Sequence, residues 1–155
     1  MEHKLVLPSP VGELTLTEEN GALTGLYFGK WPSQGREGPT PLLEEAARQL
    51  RAYFAGQRRA FSLPLAPRGT AFQLQVWQAL QTIPYGEVRT YGEIARAIGK
   101  PKACRAVGMA NHKNPISIIV PCHRVVGADG SLTGYGGGLV AKEFLLALEQ
   151  DGRPS

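Results

Sequence analysis

The sequence predicts an α/β chain: a small N-terminal antiparallel sheet with one helix, then a mostly α-helical part with a winged-helix-like helix-turn-helix. Three observations carry this expectation. Apolar residues alternate with period two on either side of Asn20-Gly21, and a type I′ hairpin turn needs the positive φ that Asn and Gly tolerate. Thr70-x-x-Gln73 and Thr90-x-x-Glu93 are capping boxes that open short apolar-striped segments in the second half. Ala66-Pro67-Arg68-Gly69 has the composition of a linker and divides the chain into residues 1–69 and 70–155.

The elements follow in order. Leu14-Thr15-Leu16-Thr17 and Leu23 to Phe28 are the two strands of the hairpin, and residues 29–39 form a Gly- and Pro-rich loop. Thr40 caps a helix with Pro41 at its first position and Glu44 and Glu45 near its positive end. Leu43, Ala47, Leu50 and Phe54 share its inner face, and Gly56 ends it. Phe61 to Leu65 reads as one more strand, placed at a sheet edge by Pro64. Beyond the linker, Phe72, Val76, Trp77 and Leu80 face inward from the helix that Thr70 caps. Pro84-Tyr85-Gly86 is a turn. Tyr91 to Ile98 is a helix stopped by Gly99, with Ile94, Ala95 and Ile98 inward, and Lys100-Pro101 opens another that runs to about Ala110. Two short helices joined by a tight Gly-containing turn match a helix-turn-helix. Ile116 to Val126 is β-branched, broken by Pro121, and reads as extended chain. Residues 127–138 are a glycine-rich loop, and Leu139 to Gln150 a last helix with Val140, Phe144, Leu145 and Leu148 inward.

Composition narrows the class. With 43% hydrophobic and 19% charged residues in a chain of 155, there is material for a core and too little charge for a disordered tail. Two cysteines, Cys104 and Cys122, cannot make a disulfide scaffold, and no Cys-x-x-Cys pair suggests a metal ribbon. The longest aliphatic runs are about five residues against the roughly 20 that span a membrane, and Pro8 and Pro10 interrupt any signal-like start. A soluble, cytoplasmic, monomeric protein with no cofactor and no metal is expected. The net charge of +4 is unevenly spread. Between residues 88 and 127, Arg89, Arg96, Lys100, Lys102, Arg105, Lys113 and Arg124 are opposed only by Glu93. A helix-turn-helix in a basic stretch points to phosphate contacts, although a solvated basic surface fits these features equally well.

Pro121-Cys122-His123-Arg124 concentrates the chemistry. A thiol attacks as thiolate, and a neighbouring base or cation lowers its pKa. In an extended chain neighbouring side chains point to opposite sides, so direct contact between Cys122 and His123 is not guaranteed and a water could bridge them. From the residues alone Cys122 is either a nucleophile or a buried core thiol, and Glu149 is more simply a solvent-facing helix residue than the third member of a relay.

Pro121-Cys122-His123-Arg124-Val125 resembles the active-site signature of the O6-alkylguanine-DNA alkyltransferases, or methylated-DNA–protein-cysteine methyltransferases. Further blocks resemble the family in the same order: Ile83-Pro84-Tyr85-Gly86-Glu87-Val88 with Tyr91, Arg105-Ala106-Val107-Gly108, Asn114-Pro115-Ile116, Gly134 to Leu139, and Lys142 to Leu146. The resemblance spans about residues 70–150, while residues 1–69 are similar only in outline. It implies a repair protein that flips O6-alkylguanine out of double-stranded DNA from the minor groove and takes the alkyl group irreversibly onto Cys122. It implies that His123 takes the thiol proton through a water, that Glu149 holds the imidazole, and that Asn114 fixes a hinge. It implies that Tyr91 turns the target phosphate and protonates the leaving base, and that Arg105 fills the gap in the stack. Ala106 and Arg124 would also face DNA, and Val125, Tyr135 and Gly136 would read the guanine. Met109 stands where many relatives carry glycine, and no cysteine precedes Cys104 to match the zinc ligands of some eukaryotic relatives. The alternatives are a non-catalytic helix-turn-helix protein that binds DNA or senses lesions, and a cysteine hydrolase, which leaves the basic motif unexplained.

Overall fold

β1 (His3–Leu7), β2 (Leu14–Glu19) and β3 (Ala22–Phe28) form an antiparallel meander, and β4 (Arg36–Glu37) adds to β1 in parallel, giving the order β3-β2-β1-β4. The computed structural model describes residues 2–29, 36–132 and 138–151. Asn20 and Gly21 turn the hairpin at φ 55° and 78°, as a type I′ turn requires. β1 has no counterpart among the strands expected from sequence. Its His3 and Lys4 and the prolines that follow mask a strand that lies between β2 and β4. The short parallel strand β4 makes the sheet mixed.

α1 (Pro41–Phe54) starts where its cap requires, with Leu43 N donating to Thr40 Oγ1 at 3.1 Å. Leu43, Ala47 and Leu50 are buried as expected, but Tyr53 rather than Phe54 is the aromatic that enters the core. The strand expected at residues 61–65 is reduced to one parallel bridge, Leu23 to Leu65. Leu23 N donates to Pro64 O and Ala66 N to Leu23 O, and Pro64 has no N–H with which to continue the ladder.

α2 (Ala71–Leu80) and α3 (Tyr91–Ala97) both open with complete capping boxes. Gly99 then reverses the chain at φ 76° and leads to α4 (Cys104–His112). α4 begins later than Pro101, because residues 101–102 form a turn in which Ala103 N donates to Lys100 O. Trp77 Nε1 donates to Ala110 O at 2.8 Å, tying α2 to α4. β5 (Arg89–Thr90) and β6 (Val125–Val126) form a small parallel pair beside the motif.

α5 (Leu139–Asp151) buries a face different from the one its apolar residues suggested. Ala141, Lys142, Leu145 and Glu149 point inward, while Val140 and Phe144 are exposed. Two polar residues on the inner stripe disguise it from a reading by hydrophobic period.

One core serves both parts of the chain. Leu16, Leu23, Leu26 and Leu50 pack in the same cluster as Trp77, Ile116, Val120 and Leu145. Leu26 N donates to Pro115 O at 2.9 Å and Ser117 N to Leu26 O at 3.2 Å, so β3 holds the segment that leads to Cys122. Among the described residues no helix is long and apolar enough to cross a membrane.

Candidate active site

In the segment from Ile116 to Val126, expected to be extended from its β-branched composition, the strand is confined to Val125 and Val126. Ile118 sits at φ 71°, a region that a buried β-branched side chain occupies only when its surroundings impose it. After Pro121, residues Cys122–Arg124 form one 3₁₀ turn, with Arg124 N donating to Pro121 O at 3.0 Å and Val125 N to Cys122 O. The turn lets consecutive side chains serve one site, which an extended chain would not.

Cys122 is 4% exposed and His123 is completely buried. His123 Nε2 lies 2.7 Å from Glu149 Oε2. Arg124 approaches the same carboxylate with Nε on Oε1 at 2.8 Å and Nη2 on Oε2 at 3.0 Å, and its Nη1 donates to Ile83 O at 2.6 Å. Tyr53 OH donates to Oε2 at 2.6 Å and Gly86 N to Oε1 at 3.4 Å. Burial alone would raise the Glu149 pKa, but the bonds and charges of His123 and Arg124 prevail and hold it at about 2. An ionised carboxylate accepts, so Nε2 carries the imidazole proton and the ring's basic lone pair lies on Nδ1. Burial pushes the His123 pKa down against the pull of Glu149, and the charges of Arg124 and Lys142 act in the same direction as burial. The imidazole is therefore a neutral base at neutral pH.

The thiol is pushed up by burial, while Asn114, the charge of Lys142 and Ser117 favour the thiolate. Asn114 bridges the segment: Nδ2 donates to Val120 O at 2.8 Å, and Oδ1 accepts from Ile116 N at 3.0 Å. Lys142 is wholly buried and donates to Val125 O at 2.7 Å. Asn111 Nδ2 reaches Cys122 O at 3.4 Å. Sequence reasoning did not mark Lys142 or Asn111 as site residues. A lysine on an inward stripe and an asparagine near a helix end give no local signal, and only the fold assembles them.

The other expected residues fall as follows. Tyr91 opens α3, half-buried, with its ring against Gly108 of α4. Arg105 and Ala106 are exposed on α4, and Arg96, Lys100, Lys102 and Lys113 are exposed around them. Val125 is buried, its carbonyl on Lys142 and its N–H on Cys122 O. The expectation that Arg124 faces DNA is corrected: it is 7% exposed, clamped on Glu149 and stacked 5.8 Å from the Tyr85 ring centroid. Three of its five N–H donors are taken by Glu149 and Ile83 O, and its burial keeps the guanidinium from reaching a phosphate. Tyr135 and Gly136 lie outside the described residues. Among the described residues no three His, Cys, Asp or Glu side chains gather as a metal site.

Residues 71–151 match the family model described as 6-O-methylguanine DNA methyltransferase, DNA binding domain, and residues 3–67 the one described as its ribonuclease-like domain. A methylated-DNA–protein-cysteine methyltransferase of Methanosarcina acetivorans is 55% identical over 150 residues, which is 93% of this chain and 96% of that one. The Mycobacterium tuberculosis protein of the same name is 52% identical over 159 residues, covering 100% of this chain and 96% of that one. The crystal structure of M. tuberculosis O6-methylguanine methyltransferase superposes with a TM-score of 0.92 at 50% identity, over 100% of this chain and 96% of the other. The M. tuberculosis protein in complex with DNA gives 0.90 at 52% identity, over 99% and 96%. The chain belongs to the 6-O-methylguanine DNA methyltransferase family.

Proposed function

We propose that this protein repairs double-stranded DNA by moving the alkyl group from O6 of an alkylated guanine to Sγ of its own Cys122. The observation that carries the reading is the 3₁₀ turn that sets a buried thiol beside an imidazole held at 2.7 Å by an ionised carboxylate. His123 Nδ1 takes the thiol proton through a water. Sγ displaces the alkyl carbon in line, the S–C bond forming as the C–O6 bond breaks. The guanine leaves with a proton supplied from Tyr91. Glu149 keeps the imidazole oriented and stabilises the imidazolium that forms. Asn114 and Lys142 favour the thiolate at the moment of attack.

O6 lies within the base stack, so the base is flipped out to reach Cys122. α4 enters the minor groove, Arg105 and Ala106 outward, and Arg105 takes the place of the flipped base. The exposed basic side chains of α3, α4 and the turn between them support this assignment. By family resemblance, Val125, Tyr135 and Gly136 would read the guanine. The thioether product is stable, so each molecule acts once. Residues 1–69 and 70–155 are two domains that share one core, and the work is done on cytoplasmic DNA.

The test is transfer of labelled methyl from O6-methylguanine in duplex DNA. One label per protein on Cys122, absent in Cys122→Ala, is expected. Repeated turnover would indicate a hydrolase, and binding without transfer a lesion sensor; either overturns the reading.

A further inference from the structure

Glu149 receives a hydrogen bond from outside the turn it serves. Tyr53, on α1 in the N-terminal half, donates to Oε2 at 2.6 Å across 96 positions of sequence, and Oε2 is also the oxygen that binds His123. The Tyr53 side chain is fully buried, its ring fixed by Phe54 and Phe61 with centroids at 5.4 Å and by Tyr85 at 6.2 Å. Packing alone would be met by phenylalanine; a buried hydroxyl is retained only where it has a partner. We infer that Tyr53 is a positioning residue for alkyl transfer, fixing Oε2 of the Glu149 carboxylate from the N-terminal half of the chain and so setting how strongly it pulls on His123. The inference rests on the transfer chemistry proposed above and gives the N-terminal half a part in it.

The effect has a definite sign. Oε2 also accepts from Arg124 Nη2, and an oxygen shared by three donors pulls less on each than one shared by two. Around the pair stand Arg124 and Cys122 from the turn, Lys142 from α5, and Tyr85 with Arg59 5.6 Å from its ring centroid. The two nearest cations disfavour imidazolium, and Glu149 favours it. Loss of the Tyr53 hydroxyl leaves Oε2 to His123 and Arg124, strengthens the pull on the imidazole proton, and raises the pH below which His123 is protonated and inactive as a base.

Tyr53→Phe keeps the ring and removes the bond. Single-turnover methyl transfer is measured against pH, and the His123 ring is titrated by NMR in the free protein. Both midpoints are expected to rise by about half to one pH unit. In a Glu149→Gln background Tyr53→Phe should move the midpoint no further, whereas a purely structural role would leave its effect in place. Midpoints unchanged in Tyr53→Phe overturn the inference. Absence of transfer in the unmodified protein overturns the functional reading instead, and the imidazole titration then decides Tyr53 by itself. A second measurement needs no variant: the labelled Tyr53 Cζ resonance should titrate with the His123 midpoint, and a resonance that ignores it overturns the inference.

Discussion

Glu149 concentrates the energetics of the site in one side chain. It is 1% exposed and bound by His123, Arg124 and Tyr53. A buried charge pair adds little to stability over an apolar replacement, yet removing one partner leaves the other stranded. Glu149→Gln should therefore cost about 3–5 kcal/mol at neutral pH, chiefly through Arg124. Its pH dependence follows from the pKa values. The carboxyl is held at about 2 against an ordinary 4.5, so the unfolded chain binds more protons between those values. The contribution of Glu149 is complete above about pH 4.5 and is lost as the pH falls toward 2; it amounts to about 3 kcal/mol. His123, lowered from its ordinary 6.5, is favoured neutral in the fold, so its contribution is complete above that value and declines on acidification. Urea unfolding midpoints should fall with acid in two stages, and Glu149→Gln should lack the lower one. An equal lower stage in both proteins would contradict the assignment. Of this cluster, the adjacency of Cys122 and His123 marked the segment but left Cys122 open between nucleophile and core thiol, and the part of Glu149 came only through family resemblance. Lys142 escaped because buried lysines are rare enough that no sequence pattern favours them.

At the scale of elements, local chemistry was readable and tertiary constraint was not. The capping boxes at Thr70 and Thr90 and the cap at Thr40 announce α2, α3 and α1 because the bonds lie within four residues of sequence. The 3₁₀ turn at Cys122 was missed because its bends are imposed from outside, by β3 at Pro115 and Ser117 and by Asn114 at Val120. The helix-turn-helix could be foreseen, and its two faces show how it divides its work. Ile94, Ala95, Val107 and Ala110 turn to the core, and Arg96, Arg105 and Met109 turn out. Arg105 is exposed, and the part proposed for it is in duplex binding and flipping rather than in the chemistry at Cys122. Arg105→Ala should slow repair of O6-methylguanine in duplex DNA about 10-fold or more, since a few kcal/mol of unstacking lose their compensation. Reaction with free O6-alkylguanine base should change far less. Equal losses on both substrates would remove Arg105 from the flipping step. Affinity of the unmodified protein for duplex DNA should fall steeply with salt, with a slope close to the number of phosphates its basic face neutralises.

For the whole molecule, the linker composition at residues 66–69 suggested two separable halves, but the core crosses it. Leu26 of β3 is completely buried and its backbone pairs with Pro115 and Ser117, so one residue belongs to the sheet and to the approach to the active site. Tyr53 and Glu149 make a second tie between the halves. Two halves joined this way should unfold together, because opening either exposes apolar surface of the other. Leu26→Ala tests this from the N-terminal side. It removes a buried leucine and should cost about 2–5 kcal/mol. Trp77, buried in α2 on the far side of the linker, reports the C-terminal half, and replacing Trp31, the other tryptophan of the sequence, by phenylalanine isolates its signal. In that background the urea midpoint read by Trp77 fluorescence should drop in Leu26→Ala by the same amount as the midpoint read by far-ultraviolet circular dichroism. A Trp77 transition that stays in place while circular dichroism moves would mean that the halves fold independently, and the sheet would then be a neighbour of the active-site segment rather than part of what holds it.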